Sequence, residues 1–181
     1  MSRASRGAFD VTVGPLVRAW GFRGGAAQGH RRAPSPEDIE ALRPLIGHEK
    51  VELSRDDHGV WRARLPRSGM VLDPGGLGKG FAVDLAVKCL AAGGIRSALV
   101  DFSGNMYALG APPGKDAWTV AVRDPSRPGA ALGTVKLRDA AISSSGSYEK
   151  WGEVDGVRRG HILSPRTLAP VDSPRRTLPA A

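Results

Sequence analysis

The sequence is short of the residues that mark several protein classes. It has one cysteine, Cys89, so no internal disulfide and no cysteine-based metal cluster can form. No apolar run approaches the ~20 residues of a helical membrane span. The opening residues, Met1-Ser2-Arg3-Ala4-Ser5-Arg6-Gly7, lead into no apolar segment of the kind an export signal needs. Acids are few against bases, 18 to 26, leaving a formal charge of +8. That balance suits an anionic partner in principle. The arginines, however, are scattered and densest in loops and towards the end of the chain. There is no RNA-binding aromatic motif and no zinc-finger spacing. The charge therefore reads as a solvated basic surface, and no nucleic-acid partner is expected.

The chain has 181 residues, enough for one domain with a real core. Its organising stretch runs from Leu72 to Asp84, Leu-Asp-Pro-Gly-Gly-Leu-Gly-Lys-Gly-Phe-Ala-Val-Asp. The apolar residues Met70 to Leu72 enter it and read as a strand; a helical pattern over 81–92 leaves it. Four glycines between them, Gly75, Gly76, Gly78 and Gly80, let the chain turn sharply and let a ligand approach the backbone. Amides at the start of the helix would suit a phosphate. The stretch reads equally as a tight strand-to-helix turn without a ligand, and it matches neither the Walker pattern nor the dinucleotide fingerprint.

Around this stretch the pattern is α+β. Asp10 or Thr12 is placed to cap a short helix carrying Leu16, Val17 and Trp20. Ser35-Pro36-Glu37-Asp38 is a helix start, with Ser35 as cap, and Gly47 is its stop. Lys50–Leu53 and Val60–Leu65 alternate about a polar turn and predict a hairpin, with His58 in the turn. The helix over 81–92 puts Val83, Ala86, Val87 and Leu90 on one side, and Cys89 reads as a buried small hydrophobe. Ile95–Phe102 reads as a buried strand. Met106–Leu109, Trp118–Arg123, Val135–Leu137 and Ala140–Ile142 read as further strands. A polar hairpin turns at Asp155-Gly156, and His161 stands at a strand start as a base, a phosphate donor or a structural histidine.

Five blocks in order carry a resemblance. They are Phe9-Asp10-Val11-Thr12-Val13-Gly14-Pro15-Leu16-Val17 with Trp20-Gly21-Phe22; Asp73 to Asp84; Val100-Asp101-Phe102-Ser103-Gly104-Asn105; Ser144-Ser145-Gly146-Ser147-Tyr148-Glu149-Lys150; and His161-Ile162-Leu163-Ser164-Pro165-Arg166-Thr167. Together they resemble the ApbE family, the FAD:protein FMN transferases. The resemblance implies an α+β domain of mixed and antiparallel sheets with packed helices, incomplete in this chain. It implies FAD as substrate, Mg2+ as metal, and transfer of FMN onto a threonine or serine hydroxyl of an acceptor protein with release of AMP. By the same resemblance Phe9, Asp10, Asp73, Lys79, Ser145 and Ile162 would contact the flavin nucleotide. Gly76 would offer a backbone carbonyl to the metal, and His161 would assist catalysis.

The departures are equally specific. The family's upstream segment, with any lipid-bearing cysteine, has no counterpart in residues 1–181, so membrane association would depend on an anchor outside them. The compartment stays open, since the family as a rule works at the cell envelope. The closely spaced acid and threonine that hold magnesium in the family have no counterpart after Pro170, and residues 171–181 read as a disordered tail. Ser103 stands in for one of two paired glycines, and Leu168 replaces a glycine. The expectation is one partial domain over 1–181, either a flavin transferase whose activity truncation impairs, or a non-catalytic flavin-nucleotide-binding remnant or a fragment that needs a partner chain.

Overall fold

The computed structural model describes residues 1–22, 32–127, 129–144 and 151–171. Three helices are present among them: α1 (Gly14–Ala19), α2 (Pro36–Leu42) and α3 (Gly78–Ala92). The strands are β1 (Glu52–Arg55), β2 (Trp61–Arg64), β3 (Ala98–Phe102), β4 (Asn105–Leu109), β5 (Trp118–Arg123), β6 (Ala131–Leu137), β7 (Ala140–Ser143), β8 (Trp151–Val154), β9 (Val157–Gly160), β10 (Leu163–Ser164) and β11 (Ala169–Pro170). The strands pair antiparallel throughout, giving the α+β class. The chain forms two compact units, Met1–Pro74 with Gly146–Ala181, and Gly75–Ser145.

In the first unit α1 is capped by Val13 without a side-chain bond. Asp10 and Thr12 bond each other instead, which corrects the expected cap. α2 follows the sequence closely: the Ser35 hydroxyl accepts from the Asp38 amide, and the Asp38 carboxylate accepts from the Ser35 amide. A 3-10 turn over Arg43–Leu45 continues it to Ile46. Leu16, Ile46 and Leu168 form the buried core, with Val13, Trp20, Ile39, Leu42 and Leu163 packed on it. Each such side chain contributes about 1.5–3 kcal/mol. Leu168 is strained, with φ +56°, yet only 1% exposed. Its carbonyl accepts from Trp20 Nε1 at 3.0 Å. The predicted strand at Met70–Leu72 is a single parallel bridge, Val13 to Val71. Gly69, with φ +89°, precedes it and Pro74 follows, so the extended run has no room to grow. Gly14 makes the approach possible: a Cβ there would lie 2.7 Å from Val71 Cγ1.

In the second unit α3 packs on β3 and β4 of a three-stranded sheet, ordered β3-β4-β7. β5 and β6 form a separate hairpin, and Ala108, Val120 and Leu137 are buried between these pieces with Met106, Trp118 and Ile142. α3 starts at Gly78, three residues before the periodicity begins, because Gly78-Lys79-Gly80 makes its first turn. Two expectations fail. β3 is not a buried strand, since Leu99, Asp101 and Phe102 are exposed. Cys89 is also exposed, because it falls off the face of α3 that carries Val83 and Leu90.

Candidate functional site

The most constructed feature of the first unit is the cradle around Asp10. Its carboxylate is buried, and Oδ1 accepts from the Thr12 amide at 2.8 Å and the Thr12 hydroxyl at 2.6 Å. Oδ2 accepts from the His48 amide at 2.8 Å and lies 3.4 Å from His48 Nδ1. Thr12 is itself fully buried and accepts from the Gly47 amide at 2.7 Å. Burial alone would push the Asp10 carboxyl up. The hydrogen bonds from Thr12 and His48 outweigh it and hold the group below its ordinary range. Asp10 is thus a fixed anion that ties the chain before α1 to the turn after α2.

Asp73 lies next to this cradle. Its amide donates to the Val11 carbonyl at 2.6 Å, which brings Asp73 and the Phe9-Asp10 segment onto neighbouring backbone. An open groove of about 390 Å³ runs beside them. Val11, His48, Val51, Leu53, Ala63 and Leu72 line most of it. It therefore joins an apolar wall to residues adjacent in sequence to both Asp10 and Asp73. Phe9 is half-buried and Asp73 partly exposed.

His161 sits in the bend between β9 and β10, half-buried, with Ile162 exposed beside it. The Ile162 carbonyl accepts from the Val171 amide at 2.8 Å. This bend is held by the Asp155-Gly156 hairpin on one side, both residues at positive φ (49° and 71°), and by the Leu168 anchor on the other. The first unit therefore contains Phe9, Asp10, Asp73, His161 and Ile162. Gly76 and Lys79 belong to the second unit. Gly76 is exposed in a 3-10 turn over Pro74–Gly76, and Lys79 lies in the first turn of α3. Lys79 Nζ donates to the Ser103 carbonyl at 3.3 Å, linking that turn to the β3–β4 turn. Ser145 lies outside the described residues.

The expected magnesium can be tested against the donors present. Among the described residues one group of three candidate ligands converges, Asp10, His48 and Glu49, with ligand atoms within 4.8 Å of one another. Gly76 is not part of it. Magnesium takes an octahedron of oxygens, whereas this group includes an imidazole nitrogen. Its geometry is also accounted for by hydrogen bonding around Asp10. The group does not fit magnesium, and the carbonyl of Gly76 is by itself a single neutral ligand.

The relatives decide the family. The family model described as "ApbE family" matches residues 1–177. The chain belongs to the ApbE family. Curated ApbE relatives include the FAD:protein FMN transferase of Treponema pallidum, 36% identical over 183 aligned positions. That alignment covers 92% of this chain and 48% of the relative. The enzyme of the same name from Salmonella typhimurium is 32% identical over 168 residues, covering 92% of this chain and 47% of that protein. The chain thus spans about half the length of these curated relatives. Among solved structures, the ApbE protein of Thermotoga maritima superposes with a TM-score of 0.79 at 34% identity, covering 93% of this chain and 53% of that one. The apo flavinyl transferase ApbE of Pseudomonas stutzeri gives 0.72 at 36%, covering 94% and 50%.

Both glycine departures are now explicable. Ser103 and Leu168 each hold positive φ, +54° and +56°, so the backbone keeps the turn that glycine would adopt freely. Sequence reasoning missed His48, Gly47 and Thr12 as partners of Asp10. Gly47 was legible only as a helix stop, and nothing about a histidine in a polar turn pointed at a carboxylate 38 residues earlier.

Proposed function

We propose that the chain serves FAD:protein FMN transfer, moving FMN from FAD onto a threonine or serine hydroxyl of an acceptor protein and releasing AMP. The observation that carries this reading is the family match over residues 1–177 together with five sequence blocks in family order. The geometry of the first unit supports it. Phe9-Asp10 and Asp73 stand on adjoining backbone beside a mainly apolar groove, the combination that a planar ring carrying polar edges needs. In this reading one ring system of FAD occupies the groove, Asp73 meets its polar edge, and Ile162 flanks the flavin.

Lys79 would meet the pyrophosphate with its ammonium, assisted by amides in the first turn of α3 and by the Ser145 loop. His161 would take the proton from the acceptor hydroxyl as that oxygen attacks the FMN phosphorus. The bond from this phosphorus to the bridging oxygen then breaks, and AMP departs with the electron pair. Gly76 would contribute its carbonyl to magnesium, a cation that neutralises pyrophosphate charge when bound. The remaining donors of such a site are not in the one convergent group described here.

The test is incubation of the chain with FAD, magnesium and an acceptor protein, followed by chromatography for AMP and mass spectrometry of the acceptor. AMP release matched by an FMN adduct is expected. His161→Ala and Asp73→Ala should lower it at least about tenfold with unchanged circular dichroism. FAD binding without AMP would replace the reading with flavin-nucleotide binding alone.

A further inference from the structure

The first unit brings three metal-ligating side chains together from two short segments. Asp10 precedes α1, and His48 and Glu49 open a 3-10 turn over His48–Lys50. One ligand atom of each lies within 4.8 Å of the other two. The ring nitrogen stands between the acids: Asp10 Oδ2 and Glu49 Oε2 are each 3.4 Å from His48 Nδ1. Hydrogen bonds account for most of the Asp10 carboxylate. Oδ1 accepts from the Thr12 amide and hydroxyl, and Oδ2 from the His48 amide. The imidazole is less well served. A spacing of 3.4 Å lies beyond the about 2.7–3.2 Å of a well-formed N–H···O bond. One ring nitrogen also carries at most one hydrogen, which cannot be aimed at two carboxylates.

The same spacing is that of ligands around a small four-coordinate ion. Zn2+ holds imidazole nitrogen and carboxylate oxygen at about 2.0–2.2 Å, which sets neighbouring corners of its tetrahedron about 3.3–3.6 Å apart. The octahedron that Mg2+ demands, with bonds of about 2.0–2.1 Å, would set them at about 2.9 Å. The Glu49 side chain is 65% exposed, yet it folds back over its own turn: a Cβ at Gly47 would collide with its carboxylate. Gly47 leaves that space open, at φ +139°. Asp10 brings a carboxylate that is buried, fixed and held ionised by its donors. His48 also lines the open groove of about 390 Å³, so water can complete the coordination.

We propose that Asp10 Oδ2, His48 Nδ1 and Glu49 Oε2 bind a tetrahedral divalent cation of the Zn2+ kind, with water as the fourth ligand. The cation neutralises two converging carboxylates and ties the segment before α1 to the 3-10 turn after α2. It takes the imidazole unprotonated at Nδ1, so binding releases any proton held there. Gly76, the residue that the family resemblance assigns to magnesium, supplies no ligand to this site. The proposal does not rest on the transfer reaction, so its test needs no flavin.

The test titrates the chelator-treated chain with Zn2+ by calorimetry. Saturable binding of a single ion is expected, weakened at least about tenfold by His48→Gln and by Glu49→Gln and unchanged by His58→Gln, whose histidine lies in the β1–β2 turn. Glutamine at position 48 keeps the backbone bond to Asp10, and the exposure of Glu49 lets the second variant fold; far-ultraviolet circular dichroism checks both. Co2+ added to the unaltered chain gives an independent readout. The intense visible absorption of four-coordinate cobalt is expected, and it should fade in Glu49→Gln. A large excess of Mg2+ should displace neither ion. No saturable Zn2+ binding would overturn the proposal, as would binding that His48→Gln leaves unchanged. The pale spectrum of six-coordinate cobalt, or displacement by Mg2+, would overturn the tetrahedral assignment and the proposal with it.

Discussion

Thr12→Val is the perturbation that probes the Asp10 cradle most cleanly. Valine keeps the shape of threonine at a fully buried position, so no cavity opens. Two hydrogen bonds disappear. The Gly47 amide loses its acceptor in a buried setting, which costs about 1–3 kcal/mol. Asp10 loses a donor to its carboxylate, a charge-assisted bond contributing about 1.5–3 kcal/mol. Burying a methyl group in place of a hydroxyl returns up to about 1 kcal/mol. The net loss is about 1.5–6 kcal/mol, a large part of the ~5–15 kcal/mol that stabilises an ordinary chain. The assay is urea unfolding followed by tryptophan fluorescence and far-ultraviolet circular dichroism. A pH dependence comes with it. Asp10 titrates below its ordinary 3.8 in the folded state, so its stabilising contribution is complete above that value and is lost as pH falls through the folded value. Without the hydroxyl, the folded carboxyl moves back towards 3.8 and this contribution shrinks. The difference between the two proteins should therefore narrow in acid. A loss below about 1 kcal/mol at neutral pH, or a difference that does not narrow as the pH falls below the ordinary carboxylate range, would refute the reasoning.

Three further outcomes are expected. Gly14→Ala should destabilise by about 2 kcal/mol or more in a thermal melt, because the new Cβ would meet Val71 Cγ1 at 2.7 Å and its carbonyl oxygen at 2.8 Å. Leu168→Gly relieves about 1 kcal/mol of backbone strain but empties a core position worth about 2–5 kcal/mol; denaturant unfolding should report a net loss. Asp124 titrates at about 2 instead of 3.8, held down first by the Ser126 hydroxyl and amide and then by Arg127. Asp124→Asn should therefore lower stability at neutral pH and flatten its fall between about pH 4 and pH 2, checked by thermal melts across that window.

Much of this architecture was legible where local chemistry decides it. The capping box at Ser35 and Asp38, the β1–β2 hairpin and the bounds of β5 follow from residue type and alternation. So does the packed face of α3. Legibility failed where the deciding partner is distant or absent. Asp10 has the composition of a helix cap, but its acceptor role is fixed by His48. Cys89 and β3 have the composition of buried elements, yet Cys89 is exposed and β3 is only partly covered. Of the candidate site, the blocks around Phe9, Asp73 and His161 were found from order along the chain. The apolar groove beside them was not, since its walls come from Val11, the 3-10 turn at His48, both strands of the β1–β2 hairpin and Leu72.

The most direct test of the central claim is an FAD titration of the chain by flavin fluorescence, with and without magnesium. Saturable quenching is predicted, weakened at least about tenfold by Asp73→Ala, with little dependence on magnesium. Absence of saturable binding by the folded chain would contradict the flavin-nucleotide site assigned to Phe9, Asp10 and Asp73. Binding that strengthens steeply with magnesium would contradict the absence, among the described residues, of a ligand group that fits magnesium.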